Sequence, residues 1–255
     1  MRIGSVAALF GVLLSACSVQ QKIREIDQMP MVRIPAGEFT MGSNEGHPNQ
    51  EPAHQVFLST YWIDQYEVTN AQYAICVEYG ACSPPWAYDS ETRNVYYEAD
   101  EFADFPVQAT TFSQAEAYCE WVGGRLPTEA EWEKAARGTD ARRYPWGETL
   151  PDCEKANFNR CVGDTDAVDA NPVGASPYCV MGLSGNVWEW TSDWYGSDTY
   201  QSHAAKNPFG PETGTHRVIR GGSWLTDAES LQTTYRFFSD PGSGWNSIGI
   251  RCVVD

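Results

Sequence analysis

Apolar residues along this chain fall in short runs rather than in long periodic stretches. Met31 to Ile34, Gln55 to Ile63, Val187 to Trp190, Arg217 to Ile219 and Ile248 to Val254 gather β-branched and aromatic residues between turn formers, the pattern of short strands. In Val187-Trp-Glu-Trp190 the period of two puts Trp188 and Trp190 on one face, Val187 and Glu189 on the other. Three segments read as short amphipathic helices. Thr69 caps one running to about Glu78, Ser113 with Glu116 forms a capping box for one ending at Gly123-Gly124, and Thr128 with Glu131 forms a box for one ending near Gly138. Helices set apart from short strands by long irregular loops imply one α+β domain over residues 31–255, a size that buries a full core.

The first residues follow a different pattern. Arg2 supplies a positive start, Val6 to Leu14 a short apolar run, and Leu14-Ser15-Ala16-Cys17 a small-residue cleavage site. The apolar run is too short to span a bilayer. It resembles a bacterial lipoprotein signal, which implies removal of residues 1–16, lipid on Cys17, and a tether over residues 17–30. Ser18 after the cysteine implies the outer membrane, so the expected location is the cell envelope, facing the periplasm or the surface.

Charge and cysteine content narrow the function. With 17 Lys plus Arg against 34 Asp plus Glu, the net charge is -17, which argues against nucleic acid as a partner. Eight cysteines in an exported chain read as a disulfide framework. The short spacings suggest loop staples Cys76 to Cys82 and Cys153 to Cys161; with Cys17 lipidated, one further cysteine is left odd. There is no C-x-x-C, and His47, His54, His203 and His216 share no ligand spacing, which argues against zinc.

Seven ordered motifs then agree. They are Met31-Val-Arg-Ile-Pro-Ala-Gly-Glu-Phe-Thr-Met-Gly-Ser43, Tyr66-Glu-Val-Thr-Asn70, Gly124-Arg-Leu-Pro-Thr-Glu-Ala-Glu-Trp-Glu133, Tyr144-Pro-Trp-Gly147, Ser184-Gly-Asn-Val-Trp-Glu-Trp190, Arg220-Gly-Gly-Ser-Trp224 and Gly249-Ile-Arg-Cys252. In this order the chain resembles the formylglycine-generating enzymes, or sulfatase-modifying factors. The resemblance implies a variant of the C-type lectin-like fold with little regular structure. It also implies a disulfide between Cys119 and Cys252, which makes Cys179 the odd thiol. Arg125, Arg220 and Arg251 are expected to brace loops or core rather than to react.

Catalytic members of that family oxidise a sulfatase cysteine with copper(I) held by two cysteines in the stretch after R-G-G-S-[WY]. Here those places hold Thr226 and Leu231, or Asp227 and Gln232 if the loop is shifted by one. None supplies the soft thiolate that copper(I) selects, so no copper and no formylglycine activity are expected. A branch of the family that uses iron held by three histidines does not match the scattered histidines here. Calcium is implied at two places: one built from Asn157, the Phe158 carbonyl and Asp164 or Asp166, the other from the Gly185 and Val187 carbonyls and Glu189, where Gly182 stands in place of a side-chain ligand.

The expectation is a non-catalytic, lipid-anchored module that binds an envelope or exported protein, peptide or glycan, with the loops Trp86 to Phe105 and Trp194 to Phe209 as candidate surfaces. The competing reading is an oxidoreductase or maturation enzyme with other chemistry, for which Asp227 and Glu229 are the acid-base candidates.

Overall fold

The computed structural model describes residues 19–255; Cys17 and the signal-like segment lie outside them. The strands are β1 (Gln21–Ile23), β2 (Pro30–Ile34), β3 (Gly37–Met41), β4 (His54–Leu58), β5 (Tyr61–Asp64), β6 (Trp188–Trp194), β7 (Arg217–Arg220), β8 (Phe237–Ser239), β9 (Ile248–Gly249) and β10 (Val253–Val254). The helices are α1 (Asn70–Glu78), α2 (Phe112–Trp121) and α3 (Glu129–Arg137). One antiparallel sheet has the order β1-β2-β5-β10, β3 pairs with β4, and a second sheet has the order β8-β7-β6-β9 with β6 and β9 parallel. Long irregular segments join them, the α+β architecture expected from the chain. Among the described residues no helix is long and apolar enough to cross a membrane.

Local signals placed the helices closely. Thr69 and Thr128 cap α1 and α3 through boxes with Gln72 and Glu131. For α2 the cap is Thr111, with Gln114 three residues on, rather than Ser113 with Glu116. Gln114 reaches back to the Thr111 N–H at 2.9 Å, a role that an amide fills as well as a carboxylate does. The run from Gln55 to Ile63 splits into β4 and β5, and the run from Ile248 to Val254 into β9 and β10.

Residues 21–30, expected as a tether, are instead part of the fold. β1 pairs with β2, and Arg24 donates to Asp27 at 2.6 Å and to Asp64 at 2.7 Å, all three side chains being almost fully buried. A three-residue strand with every side chain exposed leaves no hydrophobic pattern in the sequence.

α3 departs from the expected amphipathic helix, because each of its nine residues is buried. It packs against β3, β4, β6 and β7, and its charges are matched inside. Lys134 Nζ donates to the Pro35 and Gly37 carbonyls at 2.8 and 2.9 Å, and Arg137 Nη1 to the Thr40 and Gly42 carbonyls at 3.0 and 2.8 Å. Trp188 and Trp190 are both buried as expected, but so are Val187 and Glu189, since β6 lies inside its sheet with core on both faces.

Disulfides join Cys76 to Cys82, Cys153 to Cys161 and Cys119 to Cys252. Cys179 is disulfide-bonded too, which corrects the expectation that it is an odd thiol. The Cys119 to Cys252 bond ties α2 to the end of the chain across 133 residues. A loop of that length constrains the unfolded chain by about 4 to 5 kcal/mol in the chain-entropy account. Replacing both cysteines with alanine is therefore expected to lower unfolding stability by about 2 to 5 kcal/mol, read from denaturant midpoints, while the Cys76 and Cys82 pair replaced alike costs less.

Candidate functional site

The stretch from Arg220 to Phe237 leaves β7, bends at two glycines and returns through β8. Gly221 and Gly222 have φ of 98° and 75°, where side chains are disfavoured. A Cβ on Gly222 would sit 2.9 Å from Thr226 Oγ1 and 3.0 Å from Leu231 Cδ2, so these two side chains converge over one glycine. Thr226 and Leu231 thus come together at this turn.

Neither is free to react. Thr226 Oγ1 accepts from the Ser223 N–H at 2.9 Å and donates to the Ser223 carbonyl at 3.0 Å, closing a tight turn. Leu231 is fully buried against Tyr144 and Ala156, with Trp146 and Phe158 packed on the cluster. The acid-base candidates are also engaged. Asp227 Oδ1 accepts from the N–H groups of Glu229 and Ser230 at 3.2 and 3.3 Å, and Glu229 faces outward to His47 Nε2 at 3.2 Å.

Both ends of the loop are fastened to α3. Arg220 donates to Glu129 at 2.9 Å and to Glu133 at 2.8 Å, and Arg236 grips both oxygens of Glu129 at 2.7 and 2.8 Å. Burial raises the affinity of Glu129 for a proton, but Arg236 and Arg220 outweigh it and hold the carboxyl below its ordinary range. Arg125 forks onto Glu131 with two bonds of 2.7 Å, and Arg251 onto Glu189. Arg125, Arg220 and Arg251 brace the fold, as the sequence suggested, and Arg236 joins them.

Beside the loop lies a groove of about 520 Å³, lined by His47, Asn49, Asp198, Tyr235, Phe237 and Phe238. Trp188 stacks on Phe237 with ring centres 5.5 Å apart, and His47 meets Tyr235 edge-on at 5.5 Å. Asn49 Oδ1 is buried there with no hydrogen-bond partner. Sequence reasoning did not find this groove, because His47 and Asn49 come from a loop far from Tyr235 in the chain and no motif links them.

The two calcium sets fare differently. Glu189 accepts from Arg251 Nε and Nη2 and from Trp132 Nε1 at 2.7 Å, so a dication there would face a guanidinium. At Gly182 a Cβ would stand 2.2 Å from Glu67 Oε2, which fills the place of the missing ligand. This second set, Gly185, Val187 and Glu189, does not fit calcium. In the first set Asp164 is turned to Ser90 and Thr92, with bonds of 2.6 to 2.9 Å, and the Phe158 carbonyl accepts from Cys161 N at 2.8 Å. Asp166 Oδ1 accepts from the Ala167 N–H at 2.9 Å. Asn157 Oδ1, however, is buried without a hydrogen-bond partner, as is Glu67 Oε2, and both residues line one cavity of about 10 Å³ with Lys155, Ser184 and Asn186. Burial pushes the Glu67 carboxyl up to about 7, although Arg251 lies 3.8 Å away. Here the residues fit an oxygen-liganded cation in part, with Glu67 rather than Asp164 as the carboxylate. Among the described residues no group of three or more His, Cys, Asp or Glu is placed to hold a metal.

This frame of irregular loops on two four-stranded sheets and a two-stranded one is that expected of the formylglycine-generating enzymes, a C-type lectin-like variant. The sulfatase-modifying factor enzyme 1-like domain description matches residues 17–255, and the chain belongs to that family. It is 36% identical over 260 residues to a protein named serine/threonine-protein kinase pkn1 of Chlamydia caviae, covering 92% of this chain and 40% of that one. It is 32% identical over 280 residues to the formylglycine-generating enzyme of Streptomyces coelicolor, covering 88% of each. The chain spans about two fifths of the length of the pkn1 relatives. Among solved structures, PvdO from Pseudomonas aeruginosa superposes with a TM-score of 0.74 at 22% identity, covering 92% of this chain and 98% of that one. Treponema denticola variable protein 1 superposes with 0.77 at 22%, covering 93% and 99%.

Asp193 supplies a pH test of the frame. It is fully buried, and burial together with the nearby Glu129 charge pushes its carboxyl up to about 7, although it accepts from the Glu129 and Gly210 N–H groups at 2.8 and 2.7 Å. In the unfolded chain it ionises near 4. The fold therefore holds a proton that the unfolded chain has released, and stability falls as pH rises from about 4 to about 7. In Asp193→Asn this part of the decline disappears, so denaturant midpoints at pH 5 and pH 8 should differ less than in the native chain.

Proposed function

We propose that this chain is an exported, lipid-anchored cell-envelope protein whose formylglycine-generating-enzyme-like domain binds a protein, peptide or glycan and does not generate formylglycine. The observation that carries this reading is the pair Thr226 and Leu231, a turn hydroxyl and a buried alkyl group where the oxidases need two thiolates. Copper(I) has no soft ligand at that place. The groove beside Tyr235, with aromatic walls and the orphaned Asn49 Oδ1, suits recognition: rings supply area and a polar atom supplies orientation. The reading of an enzyme with other chemistry lacks a comparable observation, since Asp227 caps a turn and Glu229 pairs with His47.

Anchoring through Cys17 rests on the signal-like segment alone. Mass mapping of the Cys17 peptide, with and without reduction, distinguishes a diacylglyceryl thioether from a disulfide. Calcium belongs to the proposal only at Asn157 and Glu67, where it would compete with Arg251, 3.8 Å from Glu67 Oε2, for the buried carboxylate. A rise in melting temperature on adding calcium, absent in Glu67→Gln, is the expected sign.

The central test offers copper(I), dioxygen and a sulfatase-motif peptide to the purified domain. No aldehyde is expected, and formation of aldehyde would overturn the reading. On peptide and glycan arrays, Tyr235→Ala is expected to lose the signal that the native domain gives.

A further inference from the structure

A second groove lies between α1 and the segment from Tyr97 to Ala103. It has a volume of about 420 Å³, and its wall is made of small side chains: Ala71, Ala74 and Val77 on one side, Ala99 and Ala103 on the other. Glu78, Glu98 and Asp100 line it as well, all three exposed, and none of its lining residues is basic. Small apolar walls leave a channel wide enough for an unbranched alkyl chain, and carboxylates hold a cation where that chain ends.

Two further atoms point to a ligand. Asn70 is 1% exposed and Tyr97 is 8% exposed, and Asn70 Oδ1 and Tyr97 Oη both lack any hydrogen-bond partner. Leaving such buried groups unpaired costs about 1 to 3 kcal/mol each, so structures seldom keep them without a use. Asn70 Nδ2 is already committed to the Phe102 carbonyl at 3.0 Å, which leaves its oxygen as the free half. The Tyr97 hydroxyl titrates above its ordinary value because of burial first and then the charges of Tyr88, Glu98 and Glu78, which locates it near those carboxylates. The groove thus offers carboxylates, an amide oxygen and a phenol hydroxyl that can accept as well as donate.

We propose that this groove receives the lysine side chain of a partner protein, its methylenes lying along the alanine walls and its ammonium donating to Glu78 and Glu98. An ammonium carries three donors and no acceptor, which matches the carboxylates and the Asn70 amide oxygen. The net charge of -17 favours approach of a basic segment from any side, and the groove gives one of its lysines a defined seat. The proposal stands whether or not the groove beside Tyr235 is occupied.

The test uses the whole domain with ¹³C-labelled alanine methyls, titrated with a capped Ala-Ala-Lys-Ala-Ala peptide up to roughly 10 mM, a range suited to millimolar affinity. The methyls of Ala71, Ala74, Ala99 and Ala103 are expected to shift with saturation. Glu78→Gln with Glu98→Gln, both at exposed positions, should weaken binding at least about tenfold, and Tyr97→Phe should weaken it while leaving the methyl spectrum of the free domain in place. A peptide with norleucine for lysine should produce no such shifts. Equal shifts with norleucine, no shifts at all, or affinity unchanged in the double variant would overturn the proposal. Tighter saturation by spermidine than by the peptide would assign the groove to a free polyamine and overturn the protein partner. Binding arrays reading the Tyr235 groove are indifferent to these variants, so the two readings fail separately.

Discussion

One carboxylate, Glu129, holds two guanidiniums at once. Arg220 reaches it from the end of β7 and Arg236 from the residue before β8, so the loop between them begins and ends on the same side chain of α3. With all three buried, an unpaired member would leave a charge without water or partner, a loss of about 3 to 5 kcal/mol. The geometry of the whole stretch from Gly221 to Tyr235 depends on this clasp. It explains why a loop with no regular structure is nevertheless fixed, and why Thr226 and Leu231 face one another over Gly222.

The clasp requires α3 to lie at the centre of the molecule. A helix with five charged residues among nine enters the interior because each charge finds carbonyls or an opposite charge there: Glu131 with Arg125, Glu133 with Arg137 and Arg220, Lys134 with the Pro35 and Gly37 carbonyls at the entry to β3. Strand β6 continues the scheme on the other side, with Glu189 between Arg251 and the Trp132 indole. Buried charge here fixes which loops meet, a specifying role more than a stabilising one.

Much of this was readable from the chain because its signals are local. Capping residues at Thr69 and Thr128 mark helix starts within a few positions, and the ordered motifs carried the fold. The Cys119 to Cys252 link followed from the family resemblance. What could not be read was decided by distant contacts. β1 has no pattern of its own and exists because β2 offers an edge. Gln114 caps α2 as well as a glutamate would. Glu67 sits in a motif quoted for its family likeness, yet its placement against Gly182 and Asn157 is visible only in three dimensions. The groove beside Tyr235 draws on loops that no spacing rule connects.

Leu231 has a consequence for how such a domain could change. Its isobutyl group belongs to a small cluster with Tyr144 and Ala156 under the aromatic pair Tyr144 and Trp146. A shorter polar side chain at that place would leave a void beneath those rings before any metal could be held, since one sulfur alone does not make a site. A pair of metal-holding side chains at this place would therefore have to displace a packed one, and that route runs through a less stable molecule.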